Sequence, residues 1–243
     1  MKAPYLLDCY KKEFDAVVVH VKEGVFVTLD HSYFYPTGGG QPYDMGTITS
    51  NGQSYKVVFV KKEEGEIVHE VSDIGLKEGD TIHGMIDWER RYILMRYHTA
   101  AHILSEVISR ATGALITGNQ LEVDKARIDF SLENYDKEKI LEYIAEANRI
   151  IKEAHAIHWS LVPRKEAEQI LGEKMTSLAK GFSEDIQEVR IVDIEGFGKE
   201  ACGGTHLKNT SEVGEIHFVK AENKGKGNRR IVITLGPSSL SYT

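Results

Sequence analysis

The sequence predicts an α+β protein in two parts: a small β-barrel domain over residues 1–87, then a mixed α/β domain over residues 88–243. Three observations predict it. Before residue 87, six short segments rich in Val, Ile, Tyr, Phe and Thr follow one another, separated by turn residues, as in a small barrel. At Trp88 the apolar spacing becomes that of a helix. Beyond it, helices and strands are grouped rather than strictly alternating. A chain of 243 residues suffices for two modest domains.

The expected strands of the first part are 14–21, 25–29, 46–49, 55–60, 66–71 and 81–86. Asn51 and Gly52 form a hairpin turn between the third and fourth. From Trp88, Ile93, Tyr97, Ala101, Leu104 and Ile108 recur at helical spacing. A second helix is expected over about 137–156, with Ile140, Leu141, Ile144, Ala147 and Ile151 on one face and Asp136 or Asn134 as its cap. Pro163 ends an extended stretch at 158–162, and residues 164–171 read as a short helix. Strands are expected at 188–194, 214–220 and 230–235.

Composition narrows the partners. The net charge of −7 argues against a protein coated in nucleic acid, but it permits a local basic patch. Residues 1–90 hold 9 Lys/Arg against 15 Asp/Glu, and residues 91–243 hold 21 against 22. Within the near-neutral part, Lys224, Lys226, Arg229 and Arg230 stand together without an intervening acid, which suits phosphate binding on a loop. No apolar run approaches the roughly 20 residues of a membrane span. The N-terminus does not read as a secretory signal, so a cytoplasmic protein with no membrane partner is expected. Two cysteines make no disulfide framework, and Cys9 reads as a small buried hydrophobe.

Two blocks carry metal-ligand chemistry. His98 and His102 stand four apart, on one face of the expected helix. About a hundred residues later, Cys202 and His206 have the same spacing around Gly203 and Gly204, which suit a tight turn between a strand end and a helix start. The metalloprotease pattern HEXXH shares the histidine spacing but needs Glu after the first His, where this chain has Thr99. Thiolate with imidazole is an ordinary zinc set. A closed structural zinc and a catalytic zinc with an exchangeable position are equally compatible with the spacing.

A second unusual block is FYPTGGGQPYD, residues 34–44. Three glycines framed by Pro36 and Pro42 make a free loop with fixed ends. It lacks the phosphate-loop pattern and no helix follows it. Its backbone N–H groups, with Thr37 and Gln41, suit hydrogen bonding to a small ligand.

Taken together, YPTGGGQPYD (35–44), IDWERRYILMRYHTAAHIL (86–104), KARIDF (125–130), ACGGTH (201–206) and GNRRIVI (227–233) resemble the freestanding alanyl-tRNA editing proteins of the AlaX type. They also resemble the editing domain of alanyl-tRNA synthetase and, more distantly, the second additional domain of threonyl-tRNA synthetase. The resemblance implies a barrel followed by a zinc-containing editing domain, with the glycine-rich loop between them near the site. It implies Zn2+ held by His98, His102 and Cys202, with either His206 or a water in the fourth position. The substrate implied is tRNA for alanine charged with serine or glycine, chiefly serine, whose ester is hydrolysed in trans by a medium-length class member. Thr37 and Gln41 are the expected partners of the serine hydroxyl, Gly38, Gly39 and Gly40 line the substrate, and the four basic residues hold tRNA phosphates. No motif residue must be a general base, since zinc-bound water or the terminal hydroxyl of the tRNA can serve. Alternatives are a zinc-stabilised tRNA-binding module without catalysis, and editing of serine on tRNA for threonine.

Overall fold

The computed structural model describes residues 3–133, 136–172 and 187–237. Two compact units divide it, Met1–Leu94 and Met95–Thr243. The division falls inside a long helix, a few residues beyond the sequence-expected one at 87/88.

The first unit opens with a short helix α1 (Pro4–Leu7). Six strands follow: β1 (Glu13–Lys22), β2 (Phe26–Leu29), β3 (Gly46–Ser50), β4 (Gln53–Glu63), β5 (Glu66–Val71) and β6 (Thr81–Ile86). They close into an antiparallel barrel in the order β1-β2-β5-β4-β3-β6, with β6 returning to β1. Closure removes both sheet edges, which open antiparallel sheets must protect by other means. Alternation sets the inside: Phe14, Ala16 and Val18 of β1 are buried between exposed neighbours. Phe34, Ile48, Val57, Val60 and Ile82 join them in one core. Asn51 (φ 50°) and Gly52 (φ 80°) form the two-residue turn that the right-handed twist of the flanking strands favours. Gly84 faces the core with no room to spare, since a Cβ there would lie 2.8 Å from the Phe14 ring.

His69 sits fully buried in this core. Its Nδ1 lies 2.9 Å from the Val27 carbonyl, so Nδ1–H donates there and Nε2 accepts from the Ser32 hydroxyl at 2.7 Å. Burial holds its pKa down at about 4 despite the Val27 bond. The folded protein therefore keeps His69 neutral while the unfolded chain takes up a proton below about pH 6.5. Its contribution is intact above pH 6.5 and is lost as pH falls toward 4, about 3 kcal/mol in all. Urea unfolding of wild type and His69→Gln should show the wild type losing that much more stability across this interval. Parallel pH slopes would contradict the assignment.

The long helix α2 spans Trp88–Thr112. Its residues from Leu94 to Ile108 are buried all round, where the sequence spacing predicts a single apolar stripe. A helix packed on every side needs no polar face, and its buried Arg96 is satisfied by hydrogen bonds to the Val213 and Gly236 carbonyls.

The second unit continues with β7 (Ile116–Leu121), β8 (Ala126–Phe130), α3 (Lys137–Lys152), β9 (Ile157–Pro163), α4 (Arg164–Leu171), β10 (Glu188–Ile194), β11 (Gly198–Ala201), a 3₁₀ turn (Thr210–Glu212), β12 (Ile216–Asn223) and β13 (Arg229–Leu235). One antiparallel sheet has the order β11-β10-β9 and another β12-β13-β8-β7. The sequence does not announce strands β7, β8 and β11. Asp136 caps α3 through the Glu138 and Lys139 amides, while the alternative cap, Asn134, lies outside the described residues. The helix stops at Lys152 rather than near 156, because Ala154 turns left-handed at φ 58°. Ile140, Ile144, Ala147 and Ile151 are buried together with Ile150, whereas Leu141 is exposed, one residue off that stripe. Asn148 joins α3 to β12, donating to the Ile216 carbonyl at 2.9 Å and accepting from its amide at 2.8 Å. Among the described residues, no helix is long and apolar enough to cross a membrane.

A candidate metal centre

His98 and His102 project from consecutive turns of α2. Cys202 follows the last residue of β11, and His206 lies in the loop that leads to the 3₁₀ turn. The expected strand end is there, but the expected helix start is not: an extended loop follows, and neither Gly203 nor Gly204 has a positive φ.

The fold brings the four side chains into one buried cluster. Their ligand atoms all lie within 4.8 Å of one another. Cys202 Sγ is 3.4 Å from His98 Nε2 and 3.2 Å from His206 Nε2. A tetrahedral zinc with ordinary Zn–S and Zn–N bonds has S···N edges of about 3.5 Å, so these separations fit such an ion. The donor set is chemically right as well, with three imidazoles and one thiol.

Burial makes the imidazoles ready ligands. Desolvation pushes His98 and His206 well below the usual histidine range, with the neighbouring histidines and Arg190 adding to it. His102 falls to about 3, chiefly by burial and then by the positive charge of Arg190. All three are neutral at pH 7, the state in which a histidine binds metal.

Neighbouring groups fix which atoms face the cluster. Thr99 Oγ1 lies 3.2 Å from His206 Nδ1 and also accepts from the Leu207 amide at 3.3 Å. With Nε2 turned toward Cys202, Nδ1–H donates to that hydroxyl, so the residue that excludes the protease pattern orients the His206 ring toward the cluster. Glu200 Oε2 lies 3.4 Å from His102 Nδ1, a carboxylate placed as in many carboxylate–histidine–metal arrangements. The Gly204 amide donates to Cys202 Sγ at 3.3 Å, which favours the thiolate. Arg190 of β10, also buried, donates one Nη to the carbonyls of Cys202 and Gly204, both at 2.9 Å, pinning the loop. Thr99, Arg190 and Glu200 escaped sequence reasoning. Thr99 stood in view beside His98, but nothing local signals the other two, because their roles depend on strand pairing.

The glycine-rich residues lie in the first unit. Gly38 and Gln41 exchange backbone hydrogen bonds at 3.1 and 2.9 Å around Gly39 (φ 58°) and Gly40 (φ 80°), a hairpin turn of the mirror-image type. Thr37 is exposed, with its amide bonded to the Val60 carbonyl, whereas Gln41 is only 1% exposed. Gly38, Gly39 and Gly40 are exposed at the tip.

The basic residues divide by role at the β12–β13 hairpin of the second unit. Lys224 and Lys226 are exposed. Arg229 donates to Asn223 Oδ1 and to the carbonyls of Gly225, Asn228 and Glu133, bracing the hairpin. Arg230 pairs with Asp129 of β8 at 2.7 and 2.9 Å.

Comparisons with known proteins agree along the chain. Residues 189–232 match the family described as the threonyl and alanyl tRNA synthetase second additional domain. Residues 2–90 match class II (A) tRNA synthetases. The chain is 52% identical over 239 residues to alanyl-tRNA editing protein AlaX-M of Methanosarcina acetivorans, covering 95% of this chain and 97% of that protein. It is 43% identical over 236 residues to the AlaX-M protein of Saccharolobus solfataricus, covering 96% and 98% respectively. Against the alanine–tRNA ligase of Thermococcus kodakarensis it is 38% identical over 242 residues, which is 98% of this chain and 26% of the ligase.

Proposed function

The chain belongs to the alanyl-tRNA editing proteins, and from that premise we propose how it removes a wrong amino acid from tRNA. It is a trans-editing hydrolase that deacylates mischarged tRNA for alanine. The finer reading is that Zn2+ is the metal, serine the chief amino acid removed, and glycine a second.

The observation that carries the metal reading is the buried His98, His102, Cys202 and His206 cluster. When bound there, zinc would polarise the ester carbonyl or supply an activated water near neutral pH. The chain's own residues do the rest. His98, His102 and His206 offer neutral Nε2 or Nδ1 donors, and Cys202 offers a thiolate. Thr99 and Glu200 hold ring orientations, and Arg190 holds the loop that carries Cys202 and His206. The glycine-rich loop supplies the specificity, with Thr37 and Gln41 assigned to the serine hydroxyl and Gly38, Gly39 and Gly40 allowing close backbone approach.

A separate editor is needed for a physical reason. A pocket for alanine rejects an analogue with one added hydroxyl by only about a hundredfold. A second site that hydrogen-bonds the hydroxyl can reject alanine by roughly ten thousandfold, since its polar groups are left unpaired. The test is deacylation of Ser-tRNA, Gly-tRNA and Ala-tRNA of the alanine type, with and without chelator. Equal rates on the three esters would overturn the specificity reading, and chelator-insensitive rates the metal reading.

Lys224 and Lys226 are assigned to tRNA phosphates, because Arg229 and Arg230 already hold the hairpin and strand β8. Replacing both lysines by Gln should weaken tRNA binding and lower the slope of log K against log salt by about one for each phosphate left without its lysine. An unchanged slope would remove them from the interface.

A further inference from the structure

The base of the glycine-rich loop holds a fully buried ion pair, Asp44 with Arg91 of α2's first turn, and both side chains are 0% exposed. Arg91 Nε lies 2.9 and 3.0 Å from the two Asp44 carboxylate oxygens, and an Nη bonds the second as well. The remaining donors reach the Cys9 carbonyl at 2.9 Å and the Tyr33 carbonyl at 2.6 Å. Asp44 in turn accepts from the Tyr35 amide at 2.6 Å, and its own amide donates to the Tyr35 carbonyl at 3.0 Å. The two ends of the loop are thus tied to each other and to one guanidinium.

Stability does not account for this arrangement. A buried ion pair gains little over an apolar pair of similar volume, because both charges must be stripped of water. Its distinctive product is a fixed geometry, from a planar fork whose donors reach one carboxylate and two carbonyls. Above it the ordering continues: Phe34 is buried in the barrel core, the Tyr35 hydroxyl donates to the Gly38 carbonyl at 3.0 Å, and the Thr37 amide to that of Val60. At the tip the surroundings open, and a Cβ built on Gly39 would meet nothing within 4 Å.

We propose that Arg91 and Asp44 are positioning residues that pre-set the glycine-rich loop, so that its selectivity comes from a geometry fixed before the aminoacyl group arrives. This rests on the reading that the loop meets the amino acid. A site held this way spends no binding energy on ordering its own loop.

The experiment compares wild type, Arg91→Lys, and the double variant Arg91→Met with Asp44→Leu. Each is assayed on Ser-tRNA and Ala-tRNA of the alanine type, with kcat and KM separated, and each is melted. The double variant should stay folded but melt lower, because the Cys9 and Tyr33 carbonyls and the Tyr35 amide lose their partners, and it should lose about 10- to 100-fold in kcat/KM for serine, with a smaller serine-to-alanine ratio. Arg91→Lys keeps the charge but not the fork, and should give the same direction with a milder loss. Losses in proportion to a falling Tm with an unchanged ratio, in either variant, would leave the pair purely structural and overturn the proposal. Thr37→Val is the control: if it shifts the ratio and the clamp variants do not, the clamp is wrong and the loop reading stands. If none shifts it, the loop reading itself fails.

Discussion

Removing the metal, by chelation or by Cys202→Ala, should cut deacylation by roughly a thousandfold while leaving the protein folded. The size follows from the chemistry, since a metal that polarises an ester or activates water contributes several kcal/mol at the transition state, and about 4 kcal/mol is three decades in rate. Retention of the fold follows from the neighbourhood of the cluster. His98 and His102 stand on a buried helix, and the loop of Cys202 and His206 is held by Arg190 and Thr99. Loss of the ion also leaves no buried cationic histidine, because burial keeps all three imidazoles neutral. Circular dichroism and thermal melting of the chelated protein, beside single-turnover deacylation, check both halves. Unfolding on chelation would make the site structural, and full activity without metal would remove it from the reaction.

Thr37→Val should produce the second large effect, on selectivity rather than on rate alone. Valine keeps the shape and removes the hydroxyl, and the backbone bond from residue 37 to Val60 is unaffected. If the hydroxyl meets the serine side chain, kcat/KM for the serine ester falls by about a hundredfold and that for alanine changes little. Thr37 is exposed and outside the barrel core, so the melting temperature should hold. Gln41→Ala should lower the serine rate too, but it also empties a buried position and costs stability. An unchanged serine-to-alanine ratio in Thr37→Val would take the residue out of the specificity site.

Much of the fold was legible because it depends on short-range rules. Segments rich in β-branched and aromatic residues between turn residues located all six barrel strands, and Asn51–Gly52 located one of their turns, since the left-handed backbone there selects those residues. The bounds of α4 and β10 were read correctly from Pro163 and a run of β-branched residues. Strand β7 was hidden: ITGNQL carries Gly, Asn and Gln in an exposed edge position, where packing does not demand β-formers. Leu141 misled for the opposite reason, an apolar residue left in solvent, which single surface positions tolerate.

The candidate site divides in the same way. Spacing alone marks His98 with His102 and Cys202 with His206 as candidate ligand pairs, because i and i+4 share a helix face and a short loop keeps Cys and His together. Local sequence also rules out the protease chemistry, through Thr99. The meeting of the two pairs, across about a hundred residues, is a property of the packed fold. So are the neutral imidazoles, since their pKa depends on water being excluded, and the carbonyls of Cys202 and Gly204 converging on Arg190. Residue type and spacing state which atoms can bind. Only tertiary packing sets their distance, their solvent and their protonation, because each of these is a sum over neighbours remote in the chain.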